Sequence, residues 1–424
     1  MSSVCVHGLG YIGLPTAAML AENGHTVTGY DVDDDLIDRL GAGDVPVDEP
    51  GLGAFVESAL SGSLSVSSEP VVAEYHLICV PTPLDDGRAD ISYVKAAGET
   101  VADILREDDT VVLESTVPPG TTVDVLAPVL EKSGLRPGEF SLAYSPETVL
   151  PGNLLAELKN NDRAVGGIDE TAVSRTVALY ESFVEGDLRT TTDPTLCEFV
   201  KLSQNTYRDV NIALANELAM VAADYGLDSR EAIALANHHP RVNLHQPGPG
   251  VGGHCIPIDP LFLGQHSDKL DLIERARAVN DGMADYVTDL LEERVGSLTD
   301  ASIAVLGVAY KGNVGDARES PGLHLAEVLQ KRARATAAPG GGGDSMVDVR
   351  LEDPHVTDQR FALSSRPEAL ADADAMVIAT DHDAYTELDP TDVAERLAGD
   401  LVIDTKALLD RAAWEAAGLT LVRL

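Results

Sequence analysis

The sequence predicts an α/β protein made of two Rossmann-like doubly wound domains joined by a central helical domain. Three observations carry that prediction. A short β-type run near the start leads through closely spaced glycines into an alanine-rich helix pattern. From residue 194 the apolar period becomes that of a long helix, and from residue 301 the alternation of strand and helix patterns returns. At 424 residues the chain exceeds one ordinary core, and the breaks fall near 1–190, 191–298 and 299–424.

Residues 4–7 are strand-like and run directly into Gly8-Leu9-Gly10-Tyr11-Ile12-Gly13, followed by a helix pattern over 14–22. This is strand, GxGxxG, helix, the context a dinucleotide-binding turn requires. The first glycine allows the turn, the second admits a pyrophosphate to the backbone, and the third lets helix and strand pack. A second strand over 25–30 ends at Asp31, eighteen residues beyond Gly13, where a carboxylate would accept from the ribose 2′-hydroxyl and repel a 2′-phosphate. NAD rather than NADP is the expected cofactor. Strand-like runs at 77–80, 110–114 and 141–144 end in Pro81-Thr82-Pro83, Ser115-Thr116-Val117-Pro118-Pro119-Gly120 and Ser145-Pro146-Glu147, turns at the edge where doubly wound sheets hold ligands. By themselves Thr116 reads equally as a helix cap and Glu147 as an exposed turn acid.

The long helix pattern spans 194–225 and places Lys201 and Asn205 four apart, on one face. Its apolar positions suit a dimer contact or plain core. Helices are expected over 229–237 and 270–295. Between them lies Pro247-Gly248-Pro249-Gly250-Val251-Gly252-Gly253-His254-Cys255-Ile256-Pro257-Ile258-Asp259-Pro260, too rich in glycine and proline for regular structure, presenting Cys255 with Asp259 four residues on. The last third holds strands at 301–306, 347–352, 375–379 and 401–404, without GxGxxG. It also carries a helix from Pro321 to about Leu329 and a glycine-rich stretch over 336–344 that reads as a flexible surface loop.

Composition excludes several classes. Seventy acidic against thirty basic residues leave a formal charge of −40, which excludes nucleic acid as a natural partner and suggests a surface tuned to a cytoplasm of very high salt. The opening residues lack the cationic start of a signal peptide, and there is no apolar run long enough for a membrane span, so a cytoplasmic protein is expected. Four scattered cysteines make neither a disulfide framework nor a metal site; Cys5 and Cys79 sit in strand patterns as packing residues, and only Cys255 has a chemical setting.

With Gly8 to Gly13, Glu114-Ser115-Thr116, Ser145-Pro146-Glu147, Lys201 and Asn205, the Cys255 loop and the stretch from Lys311 to Pro321 in order, the whole chain resembles the UDP-glucose/GDP-mannose dehydrogenase family of nucleotide-sugar 6-dehydrogenases. Within it, Thr148-Val149-Leu150-Pro151-Gly152, Asn161-Asp162-Arg163 and His239-Pro240-Arg241-Val242-Asn243 are most like the branch acting on UDP-N-acetyl-D-mannosamine. The resemblance implies NAD-dependent oxidation of C6 from alcohol to carboxylate through a cysteine thioester, in a homodimer serving polysaccharide biosynthesis. It makes Cys255 the nucleophile, and Lys201 and Asn205 oxyanion stabilisers. Glu147, Thr116 and Asp259 become the groups that position water and relay protons. Pro81, Thr82, Thr116 and Arg318 join Gly8, Gly10, Tyr11, Ile12, Gly13 and Asp31 around the cofactor. Glu147, Lys201, Asn205, Arg241, Gly252 and Lys311 contact the sugar nucleotide, Arg241 in cis or across a dimer, with Lys311 and Arg318 on the loop that closes the site.

Two departures from the glucose branch stand out: Pro151 and Ile258 occupy positions where that branch carries a glutamate and a lysine. They count against UDP-glucose as substrate. The rival readings are a 6-dehydrogenase for UDP-N-acetylglucosamine, UDP-glucose or GDP-mannose, and, more remotely, a non-catalytic sensor of sugar nucleotide or NAD.

Overall fold

The computed structural model describes residues 1–47, 49–336 and 346–424. The expected loop over 336–344 lies outside the described residues except for Thr336, which ends the helix Pro321–Thr336. By internal packing the chain divides into two compact units, Met1–Gln204 with Leu261–Asp268, and Asn205–Pro260 with Lys269–Leu424.

The first unit is built on an eight-stranded sheet. Its strands are β1 (Ser3–His7), β2 (Thr26–Tyr30), β3 (Leu64–Ser67), β4 (Tyr75–Ile78), β7 (Thr110–Leu113), β8 (Ser141–Tyr144), β9 (Arg163–Gly167) and β10 (Leu188–Thr191); β5 (Leu84–Asp85) and β6 (Arg88–Ala89) form a separate hairpin. The order is β10-β9-β8-β7-β4-β1-β2-β3. Strands β1 to β4, β7 and β8 pair parallel, whereas β9 is antiparallel to β8. The order reverses between β1 and β4, so a crevice opens beyond their carboxyl ends. Val4, Val6, Leu14, Leu20, Val27 and Leu77 form the core beneath it.

One part of that sheet is not aliphatic. Cys5, His7 and His76 are buried together, with His7 Nε2 and His76 Nδ1 3.2 Å apart. Burial lowers His7 to about 3 and His76 to about 4 and raises Cys5 to about 11, so all three stay neutral near pH 7.

The second unit carries a five-stranded parallel sheet of β11 (Ser302–Leu306), β12 (Asp348–Glu352), β13 (Ala375–Ile378), β14 (Leu401–Asp404) and β15 (Thr420–Arg423), ordered β12-β11-β13-β14-β15. This is the other common doubly wound order. Around it lie the helices Ser229–Ala236, Asp271–Asp281 and Met283–Val295. The expected single helix over 270–295 is thus two, parted at Gly282, whose ψ of −7° departs from helical values. Glycine is the residue that least resists such a break. The helix Pro194–Asp224 belongs to both units.

Candidate active site

In the first unit the turn after β1 has the expected geometry. Gly8 turns at φ +96°, and a Cβ on Gly13 would lie 1.9 Å from the Gly8 carbonyl oxygen, so that position must be glycine. Nothing lies within 4 Å of where a Gly10 Cβ would stand, which leaves room above the turn. The helix Gly13–Glu22 has no side-chain cap; Leu14 N donates to the Gly10 carbonyl at 3.2 Å and Pro15 carries no N–H, so the space above the turn is bounded by the glycine backbone itself. Asp31 follows β2 and accepts from Leu9 N at 2.7 Å and Asp33 N at 3.1 Å, tying the second strand to the turn. An open glycine, an uncapped helix start and a half-buried carboxylate fit a dinucleotide.

Around this edge Thr82 is buried and donates to the Thr116 carbonyl at 2.7 Å, while Ser115 Oγ donates to the Val80 carbonyl at 2.8 Å. Pro81 is exposed and Thr116 half-buried. Lys201 is buried and donates to the Glu147 carbonyl at 2.8 Å and to Glu147 Oε1 at 3.2 Å; Glu147 Oε2 accepts from Val149 N at 2.7 Å. The chain therefore brings Thr82 to Thr116 and Glu147 to Lys201.

Two acids of this unit went unread in the sequence. Glu49 accepts from Tyr11 Oη and from Gly152 N at 2.8 Å, joining the glycine turn to the segment after Glu147. Glu198, one helical turn before Lys201, accepts from Gly120 N at 2.6 Å, Thr122 N at 2.7 Å and Thr122 Oγ1 at 2.6 Å, docking the loop that follows Thr116 onto that helix. Burial pushes Glu198 up to about 7 against those three donors. Helical spacing to Lys201 was the one signal that could have found it.

In the second unit Cys255 is exposed at the head of a tight turn in which its carbonyl accepts from Asp259 N at 2.9 Å. Asp259 is buried, and Oδ2 accepts from Asn205 Nδ2 at 2.6 Å. The loop's glycines serve a close approach within the chain: a Cβ on Gly252 would come 2.4 Å from the Glu319 carbonyl oxygen, and Gly253 N donates to the Arg318 carbonyl at 3.0 Å. The Cys255 loop therefore lies directly on the segment that holds Lys311 and Arg318. Arg318 is fixed by Asp316 at 2.6 Å and is raised by that hydrogen bond first, with the Cys255 thiol among its favourable neighbours. Within the second unit Arg318 thus feels the field of Cys255.

A buried polar chain supports the loop from beneath. Asn216 Oδ1 accepts from Gly248 N at 2.9 Å, its Nδ2 donates to Asn280 at 2.9 Å, and Asn280 donates to Asp209 at 2.8 Å, which also pairs with Arg277. Arg241 and Lys311 are exposed.

Residues 2–184, 195–282 and 304–411 match, in turn, the NAD binding, central and UDP binding domains of the UDP-glucose/GDP-mannose dehydrogenase family. The chain belongs to that family. It is an NAD-dependent dehydrogenase whose last domain binds UDP. It is 39% identical to the UDP-N-acetyl-D-mannosamine dehydrogenase of Methanococcus maripaludis, over 99% of this chain and 96% of that one. A solved structure of the UDP-D-ManNAc dehydrogenase of Pyrococcus horikoshii superposes with a TM-score of 0.90 at 38% identity, covering 99% of this chain and 98% of the other. That of the UDP-N-acetyl-mannosamine dehydrogenase of Staphylococcus aureus gives 0.86 at 36% identity, over 100% and 98% of the two chains. No helix among the described residues is long and apolar enough to cross a membrane.

Proposed function

We propose that this protein oxidises C6 of UDP-N-acetyl-D-mannosamine twice, giving the uronate. The observation that carries the reading is Cys255, an exposed thiol on a loop whose next turn buries Asp259 against Asn205. A single alcohol oxidation has no use for that thiol. Residues 1–190 hold NAD, through the Gly8, Gly10, Tyr11, Ile12 and Gly13 turn, Asp31, Pro81, Thr82 and Thr116, with Arg318 contributed from the closing loop. NAD supplies the hydride acceptor for both oxidations.

The chain's own residues do the rest. Glu147 and Asp259 take up the C6 hydroxyl proton, directly or through water oriented by Thr116, as hydride leaves C6 and the aldehyde forms. The Cys255 sulfur then adds to the aldehyde carbon, forming a C–S bond and a thiohemiacetal. Loss of hydride from that carbon and of the proton from its hydroxyl oxygen leaves a thioester. Water activated by Glu147 adds to it, the C–S bond breaks, and the thiol is restored with the carboxylate as product. Lys201 and Asn205 hold the oxyanion at each tetrahedral stage. Arg241, Gly252 and Lys311 hold the sugar nucleotide. Pro151 and Ile258, together with the relatives' substrate, favour the N-acetylmannosamine nucleotide over UDP-glucose.

A homodimer is part of this reading. Leu196, Phe199, Tyr207, Leu214 and Val221 are all exposed along the helix Pro194–Asp224, a stripe a second copy would cover. The charge of −40 supports a cytoplasm of high salt, and the product's chemistry supports a role in polysaccharide biosynthesis. NADH formation across a panel of UDP-N-acetylmannosamine, UDP-N-acetylglucosamine, UDP-glucose and GDP-mannose, in molar salt, tests it. Two NADH per UDP-N-acetylmannosamine are expected, with slower turnover of the others and no acid from Cys255→Ala. Aldehyde as the final product, or faster oxidation of UDP-glucose, defeats the proposal.

A further inference from the structure

Arg163 has no part in the chemistry above, and it is a buried cation of the first unit. It stands at the start of β9 and donates from Nη1 to Glu114 Oε1 at 2.7 Å, both side chains being buried. Its guanidinium lies 4.4 Å over the Tyr180 ring, and the Tyr180 hydroxyl donates to the same Oε1. The other oxygen, Oε2, accepts from Cys79 Sγ at 3.1 Å. Glu114 is thus a carboxylate with three donors from three parts of the fold. Burial works against the charge of Arg163, and the fields of Glu114, Tyr180 and Glu147 outweigh it. Burial, with Glu114 next, raises Cys79 and Tyr180 well above their ordinary values, so both serve as neutral donors.

What Glu114 holds is more telling than what holds it. Cys79 forms the floor of the glycine turn: a Cβ on Gly8 would meet the Cys79 carbonyl oxygen at 2.6 Å, and one on Gly13 would meet Cys79 Cβ at 3.0 Å. Glu114 itself lies two residues before Thr116, and Cys79 lies two before Pro81. A buried ion pair seldom stabilises a fold better than apolar packing of the same shape. Its use here is geometric, because one carboxylate sets the floor of the glycine turn and the two segments leaving β4 and β7.

We propose that Glu114 and Arg163 are positioning residues that set the NAD edge through Cys79, so that breaking their hub weakens NAD specifically. The proposal rests on the reading of this edge as the NAD site. It is tested by measuring NAD affinity by titration, KM for each substrate and melting temperature in Glu114→Gln, Arg163→Met, the double variant, and Cys79→Ala. Each single hub variant leaves a buried charge unpaired and should lower both melting temperature and NAD affinity. The double variant removes both charges and should recover most of the melting temperature while NAD affinity stays down by about tenfold, with the KM for sugar nucleotide within about twofold. Cys79→Ala, which removes only the link to the turn, should weaken NAD several-fold with little change in melting temperature. Recovery of NAD affinity together with stability in the double variant, equal losses for NAD and sugar nucleotide, or unchanged NAD affinity in Cys79→Ala would each overturn the proposal. Absence of NAD binding by the unsubstituted protein would remove the underlying reading with it.

Discussion

At the carboxyl end of β1, Gly8 turns at φ +96° and Gly13 lies against its carbonyl; at the end of β11, Gly307 turns at φ +98°, and a Cβ on Gly322 would come 2.2 Å from the Gly307 carbonyl oxygen. Beside the first turn Asp31 accepts from Leu9 N at 2.7 Å, and beside the second Asp353 accepts from Val308 N at 2.7 Å and Ala309 N at 2.8 Å. The two sheets begin alike, then, and differ in how the parts are spent. Gly8 and Gly13 are five residues apart, leaving a bare turn and a half-buried carboxylate with capacity for a ligand. Gly307 and Gly322 are fifteen apart, and the intervening chain carries Lys311 and Arg318. Asp353 also accepts from His382 at 3.0 Å, His355 N at 2.8 Å and Val356 N at 2.9 Å, so its oxygens are consumed within the protein. Lengthening the glycine interval turns a bare turn into one that carries a long intervening segment.

The largest effects should come from filling the two close approaches. Gly13→Ala and Gly322→Ala each force a methyl group into a carbonyl and should cost about 3 kcal/mol, yet Gly13→Ala alone should abolish NAD binding. The only tryptophan, Trp414, is buried in the C-terminal core, so its fluorescence follows the second unit during denaturation. If Gly322→Ala leaves the Trp414 transition unmoved, the likeness of the turns is superficial.

The two aspartates should part in the opposite sense. Asp353→Asn strips a buried, multiply bonded carboxylate and should destabilise the second unit by about 3 kcal/mol with NAD affinity unchanged. Asp31→Ala should cost about 1 kcal/mol or less while weakening NAD and admitting NADP. Equal use of both cofactors by the unsubstituted enzyme would deny Asp31 its ribose role.

Acid should separate the units with a smaller effect. His7 and His76 are held below their ordinary pKa of 6.5, at about 3 and about 4. Their contribution is complete above pH 6.5 and lost as pH falls, because the unfolded chain binds the protons, at up to about 1.4 kcal/mol per pH unit for each. Glu198, raised to about 7, runs the other way, contributing below its ordinary 4.5 and losing that as pH rises through about 7, so it offsets one histidine in this window. Asp353, depressed to about 2, keeps its contribution until pH falls below 3.8. Helical circular dichroism should therefore decline between pH 6 and 4 before Trp414 fluorescence responds, and His7→Val with His76→Leu should move that first loss to lower pH. Simultaneous loss of both signals would mean that the buried histidines do not set the acid limit of the first unit.

The sequence determined whatever is written in neighbouring residues: the glycine turn with Asp31 at the end of the next strand, the helix that spaces Lys201 and Asn205, and a glycine- and proline-rich stretch that carries Cys255 outside regular structure. Each rests on a local period or a backbone preference, which survives in one dimension. Tertiary structure decided the pairings that cross the chain. Arg163 reaches Glu114 over 49 residues and Gly152 reaches Glu49 over 103, with no periodicity to announce either. The strands β3, β9, β10 and β15, and the two-residue strands β5 and β6, escaped notice because five residues or fewer, partly polar, hold too few alternations to read. Gly307 and Gly322 escaped because only the folded backbone brings two glycines fifteen residues apart into the contact that GxGxxG makes in five. The roles of glutamates 49, 114 and 198 follow from burial beside specific donors, and burial is a property of the assembled fold.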